Sequence, residues 1–145
     1  MADFSDEFKT YLKTISAITD DVGSGTAARI YPDRLREGAT MPAIVYVEAG
    51  GGESFEFLGG ISGLAETVMH VYTYGSTRTQ ANDLAEVVRL APLQGFGGTM
   101  GATAVTSVSA SSHRDTGFDP PRHKTDKPKY WTRRIYNLHH AEATS

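Results

Sequence analysis

ETVMHVYTYGSTRTQANDLAEVVRL, residues 66–90, joins an aromatic, β-branched run to an amphipathic one through a single tight joint. Val68, Val71, Tyr72, Thr73 and Tyr74 are types that fit a pleated, half-buried surface, so residues 67–74 read as a central strand. Gly75 breaks the run. Thr77, followed three residues later by Gln80, predicts a capping box in which a hydroxyl and a side-chain amide each satisfy an orphaned backbone donor. Ala81, Leu84, Ala85, Val88 and Ala91 then recur at the spacing of one helical face, while Gln80, Asp83, Glu86 and Arg89 fall mostly away from it. Pro92 is expected to stop this helix.

Upstream, Phe4, Phe8, Tyr11, Leu12, Ile15 and Ile18 form one helical stripe, with Asp3, Asp6 and Glu7 in the first turn where the helix dipole favours negative charge. A single first helix is predicted there, closed by the turn-rich residues 20–26. Residues 29–33, RIYPD, read as a short extended piece ended by proline. Residues 43–49, AIVYVEA, are nearly continuously apolar, as suits a strand covered on both faces. Between this strand and the central one, residues 50–65 carry glycines at both ends and Phe55, Phe57, Leu58, Ile61 and Leu64 inside. They read either as a hairpin projecting from the body or as an arm whose apolar groups await a partner; the hairpin is favoured. An apolar tip of that kind would mark an interaction surface.

Downstream, residues 94–101 form a glycine-rich connection and residues 102–112 alternate as a strand with one wetter face. Residues 113–129, with three prolines and a cationic bias, predict a long surface loop. Residues 130–139 return to strand composition, and residues 140–145 are expected to fray. The whole reads as one α+β domain over residues 1–145, a mostly antiparallel sheet with two helices packed on one face, a projecting hairpin and a long C-terminal loop.

Composition narrows the chemistry. A net charge of -3 and a pI near 5.9 argue against a broad basic face for gripping nucleic acid. With no cysteine, disulfides, thiolate metal sites and a cysteine nucleophile are excluded. The acidic first residues and the lack of a long apolar run predict a soluble chain made in the cytoplasm, with no membrane partner.

The glycine run GFGGTMG at 95–101 has Met100 where a dinucleotide fingerprint needs glycine, and it follows a helix instead of opening one. His139 and His140 are strand neighbours that point to opposite faces, so they do not share an ion. Neither a metal nor another cofactor is expected, and no catalytic signature stands out. Arg122, His123, Lys124, Lys127 and Lys129, followed by Tyr130, Trp131, Arg133 and Arg134, are the one basic and aromatic concentration. It fits either a solvated loop running into an edge strand or a surface for phosphates or an acidic protein.

In order, RIYPD at 29–33, MPAIVY at 41–46, HVYTY at 70–74 and the helix at 80–90 resemble the tail terminator, or tail-completion, proteins of long-tailed bacteriophages and related gene transfer agents. In that family an N-terminal helix precedes a "grIYp" segment, an "lPyivy" strand, a glycine-punctuated hairpin, an aromatic strand and a helix. The resemblance covers roughly residues 4–90; beyond residue 101 it rests on position alone.

The resemblance implies a structural protein, not an enzyme, that forms a ring, typically a hexamer, on the finished tail tube. It implies three partners besides further copies of the chain: the tail tube protein, a head-completion or neck protein, and double-stranded DNA passing through the lumen without sequence-specific binding. The implied location is the tail-neck region of a virion, after assembly in the host bacterial cytoplasm. On this reading Phe55, Phe57, Leu58, Ile61, Leu64, Arg122, Lys124, Lys127, Trp131 and Arg133 are the interface candidates. Two rival expectations are another neck or stopper ring, and a small ligand-binding or hydrolytic domain using His70, Tyr72 and Tyr74.

Overall fold

Two short helices, α1 (Phe4–Leu12) and α2 (Ser16–Val22), stand where the sequence predicts one. The computed structural model of the protein describes residues 4–57, 60–122 and 124–141, with the backbone alone described at 50–57, 60–64, 91, 112 and 113. The break between the helices has a local cause. The Thr14 hydroxyl donates to the Tyr11 carbonyl at 2.6 Å, and Ile15 leaves the helix for extended backbone at φ -92°, ψ 111°. A threonine hydroxyl competes in this way for helix carbonyls. The redirected chain still buries Phe8, Leu12, Ile18 and Val22 completely, each such side chain contributing roughly 1.5–3 kcal/mol of transfer free energy.

Beyond a single turn at Gly25–Ala27 come β1 (Ile30–Pro32), β2 (Ala43–Phe57) and β3 (Gly60–Gly75). The sequence-predicted hairpin over residues 50–65 is therefore the far end of two long strands, with paired rungs up to Phe57 and Gly60. Its last rungs, at Glu56 with Ile61 and Phe57 with Gly60, lie past the final rung between β3 and its other neighbour, at Leu64 with Ala141. Gly75 ends β3 and has a second duty beyond breaking the run. A Cβ there would lie 2.7 Å from the Ala81 nitrogen, so glycine permits the close approach of strand and helix.

α3 (Arg78–Val88) begins with the expected cap in a modified form. The Gln80 amide donates to the Thr77 hydroxyl at 3.1 Å, while the Gln80 side-chain oxygen accepts from the Ser76 amide at 2.7 Å, one residue before the capping residue. Ala81, Leu84, Ala85 and Val88 are buried. The chain does not stop at Pro92 as predicted. It widens into a π-type turn over Arg89–Leu93, closed by the Gln94 amide on the Arg89 carbonyl at 2.7 Å, which accommodates the missing proline N–H.

The glycine-rich connection contains a short strand, β4 (Gly98–Met100). β5 (Thr103–Asp119) and β6 (Lys129–Ala141) follow. The long loop predicted over residues 113–129 is thus corrected to residues 120–128, because β6 recruits residues 114–119 into six consecutive rungs. Cross-strand side chains supply what their own pattern lacks: Asp115 pairs with Arg133, and Phe118 packs on Tyr130 with ring centroids 5.0 Å apart. His140 does not fray. It is buried, hydrogen-bonded to Thr67 and stacked on Phe4 at 3.9 Å, and Ala141 closes the strand; residues 142–145 lie outside the described residues.

The six strands form one curled sheet in the order β1-β2-β3-β6-β5-β4. β1 and β2 are parallel and the other pairs antiparallel, so the largely antiparallel sheet of the prediction is mixed. Three short helices, not two, pack near it. Met69, Val71, Tyr46, Tyr136 and Leu138 face them in a single core. Hydroxyls dock α3: Thr73 reaches the Ala81 carbonyl at 3.0 Å, and Thr132 donates to the Asn82 side chain at 2.6 Å.

Candidate interaction surface

Strand alternation sends Val68, His70, Tyr72 and Tyr74 of β3 away from the helices. Their cross-strand partners on β6, from Trp131 through Arg133 and Ile135, share that face. The Tyr72 ring meets the Trp131 indole edge-on at 5.4 Å and lies 6.4 Å from Tyr74. Trp131 also spreads over Gly117 of β5, whose missing side chain leaves room for the indole. Arg133 stands over Tyr72 at 6.0 Å and is ion-paired with Asp115. At the other end of the face, the His139 Nε2 lies 2.9 Å from Glu66.

The electrostatics of this face follow from packing. Burial pushes the His70 pKa down, and the Arg133 guanidinium pushes it further, against a smaller opposing pull from Asp115. Tyr74 is pushed up to about 12 by burial, with Asp119 and Tyr72 adding to the effect. Hydrogen bonding to Tyr72, then to Asp115, raises Arg133. The result is a half-buried aromatic and aliphatic surface on which His70 favours its neutral form.

The candidates from sequence fall into three places. Phe55 and Phe57 on β2, and Ile61 and Leu64 on β3, lie on the hairpin arms with backbone alone described; Leu58 lies outside the described residues. Arg122, Lys124 and Lys127 lie exposed on the loop at the opposite end of the sheet, while His123 is outside the described residues. That loop is tied by Asp126, which accepts from the Arg122 amide and the Lys129 ammonium, each at 2.9 Å. The Lys129 hydrogen bond first, and the Arg122 amide second, hold the Asp126 carboxyl at about 2. Trp131 and Arg133 stand between these ends on the helix-free face. Hairpin and basic loop are thus opposite ends of one sheet, not one site.

A further cluster escapes sequence reading. Glu86 of α3 is 2.6 Å from Arg89 and 3.5 Å from Arg134, and Arg114 lies opposite Arg134 on β5. Residues from a helix, a turn and two strands meet here, and no local spacing encodes that. His70, Tyr72 and Tyr74 line an open sheet face. An open concavity of about 320 Å³ lies instead against α3, bordered by Asp21, Pro42, Thr77 and Asp83.

Among the described residues no group of three or more His, Asp or Glu side chains is placed to hold a metal ion, and no helix is long and apolar enough to cross a membrane. No family model matches the chain, and no curated protein matches it.

Proposed function

We propose that the protein is a ring-forming structural subunit of the tail terminator type, which caps a completed tail tube and offers its other side to the neck of the capsid. The observation that carries this reading is where the three resembling strings lie in the fold. RIYPD, MPAIVY and HVYTY fall on β1, β2 and β3, side by side: Tyr31 aligns with Val45, and Val45 with Tyr72. Three segments recognised for their order thus lie side by side on neighbouring strands of the sheet. The β2–β3 hairpin reaching past β6 and the helix-free aromatic face supply contact surfaces of the kind a ring subunit needs.

The mechanism is exclusion by shape. One side of the ring fits the last layer of tube subunits, and the other presents no surface on which a further layer can add. DNA then passes through the opening, where the net charge of -3 disfavours sticking to phosphates.

Native mass measurement and electron microscopy with the cognate tube protein test the reading. A six-membered species on tube ends, with tube growth halted, is the expected result; tubes that elongate unchanged in its presence would overturn it. Density at the capsid side of the neck, away from the tube, would instead assign the stopper role. Replacing Phe55, Phe57 and Leu58 by serine is expected to weaken ring formation or tube capping while the circular dichroism spectrum is retained.

A further inference from the structure

Both edges of the sheet end in a strand of three residues, β1 beside β2 and β4 beside β5. β1 covers β2 only from Ile44 to Tyr46, and β4 covers β5 only from Thr103 to Val105. Among the described residues no strand pairs with the outer side of β2 over 47–57 or of β5 over 109–119; at 106–108 the β5 edge is partly covered, the Gly95 amide donating to the Val108 carbonyl at 3.3 Å and Gly97 lying against the Thr106 carbonyl. Such edges present rows of N–H and C=O groups that serve as a template for another strand.

Direction decides which strand fits. β2 is antiparallel to β3, β3 to β6 and β6 to β5, so β2 and β5 run in opposite senses. A second copy set with its β2 against this β5 therefore continues the sheet antiparallel, with the helix-free face kept on the same side. The step repeats with each added copy.

Charge favours the same match. Residues 47–57 contain Glu48, Glu53 and Glu56 and neither lysine nor arginine. Beside the β5 edge, Arg89, Arg114 and Arg134 gather around the single carboxylate of Glu86. Its hydrogen bond to Arg89 leads the causes that lower the Glu86 pKa, and Arg134 and Arg114 add to them. Two guanidiniums paired with one carboxylate, with the exposed Arg114 beside them, leave a cationic excess, and the buried Arg134 Nε has no hydrogen-bond partner. Within one copy Arg114 lies in the row of Arg134, Val71 and Tyr46, two residues from Glu48 along β2 and on the same face. Glu48 shares a row with Met69, Tyr136 and Ala110, adjoining the irregularity between Ala110 and Arg114. Glu48 and Arg114 both alternate onto the helix side of the sheet.

We propose that copies of this chain associate head to tail, the β5 edge of one pairing antiparallel with the β2 edge of the next and Arg114 meeting the second copy's Glu48. The inference deepens the ring reading above and rests on it for closure. The irregularities in β2 and β5 break each edge into short regular runs, which restricts pairing to a matching partner.

The protein has no cysteine, so Ala49→Cys and Ser109→Cys, both at exposed positions, supply single thiols. Mixed and oxidised, the two variants are expected to form the unlike disulfide in about tenfold excess over either like pair. Arg114→Glu is expected to weaken association about tenfold, and the swap Glu48→Arg with Arg114→Glu to restore it. Sedimentation reads the association and circular dichroism the fold. Predominantly like-with-like Ser109→Cys links would mean two-fold pairing and overturn the inference. A ring that forms without the unlike link would overturn the edge pairing and leave the ring standing. A monomer at every attainable concentration, alone and with tube protein, would overturn both.

Discussion

His140 is a histidine whose neutral form is built into the fold. Its Nδ1–H donates to the Ala141 carbonyl, which can only accept, so Nε2 accepts from the Thr67 hydroxyl; both distances are 2.7 Å. Burial leads the lowering of its pKa from 6.5, with the Ala141 hydrogen bond opposing and His139 adding to it. A depressed histidine pKa means that the unfolded chain binds the proton more readily. The stability it contributes is complete above about pH 6.5 and is lost as pH falls toward the lowered folded value. Urea unfolding is therefore expected to show lower stability at about pH 5.5 than at about pH 7.5. His140→Gln should flatten that dependence while costing about 1–3 kcal/mol at neutral pH; an unchanged pH slope would remove His140 from the account. His70 shares the direction and adds to the slope. Gly117 makes a different residue-scale point. The sole tryptophan, Trp131, occupies the space a side chain there would need. Gly117→Ala should cost about 1–3 kcal/mol through overpacking and shift tryptophan emission to the red as the indole moves into water.

Among the elements, α3 was the most legible. Its stripe of Ala81, Leu84, Ala85 and Val88 and its cap at Thr77 depend on residues within one or two turns, which is the range over which sequence periodicity speaks. Thr77→Ala is expected to cost about 1 kcal/mol in a denaturant titration and Thr77→Ser almost nothing, because serine keeps the accepting oxygen. β5 was legible only in its first half. HRDTGFD at 113–119 lacks apolar alternation, and its strand is held by β6 through Asp115 with Arg133, Phe118 with Tyr130, and Trp131 over Gly117. The α1–α2 break was hidden for a related reason. Both pieces continue one apolar stripe, and the Thr14 side-chain bond that divides them does not interrupt it.

At the scale of the molecule, the proposed assembly rests on the whole fold, because the two sheet edges and the charges beside them come from segments distant in the chain. If Glu48 meets the arginines beside β5, association should weaken several-fold as salt rises from about 0.05 M to about 0.5 M, because screening shortens the reach of exposed charges. Sedimentation at graded ionic strength measures this; association that strengthens with salt would indicate an apolar contact instead. The sequence singled out two residues of the helix-free face. Trp131 and Arg133 lie half-buried on that face, and their aromatic neighbours come from β3, more than fifty residues earlier in the chain. By itself, the sequence determined the α+β class, the β2–β3 hairpin, the apolar faces of the helices and the cap of α3, since each is written in side chains a few positions apart. Only the tertiary structure decided that β5 runs on to Asp119, that β1 lies parallel to β2, and that Arg89, Arg114 and Arg134 gather on Glu86. Those outcomes depend on which strands become neighbours, and that is settled by burying one common core, not by any local pattern.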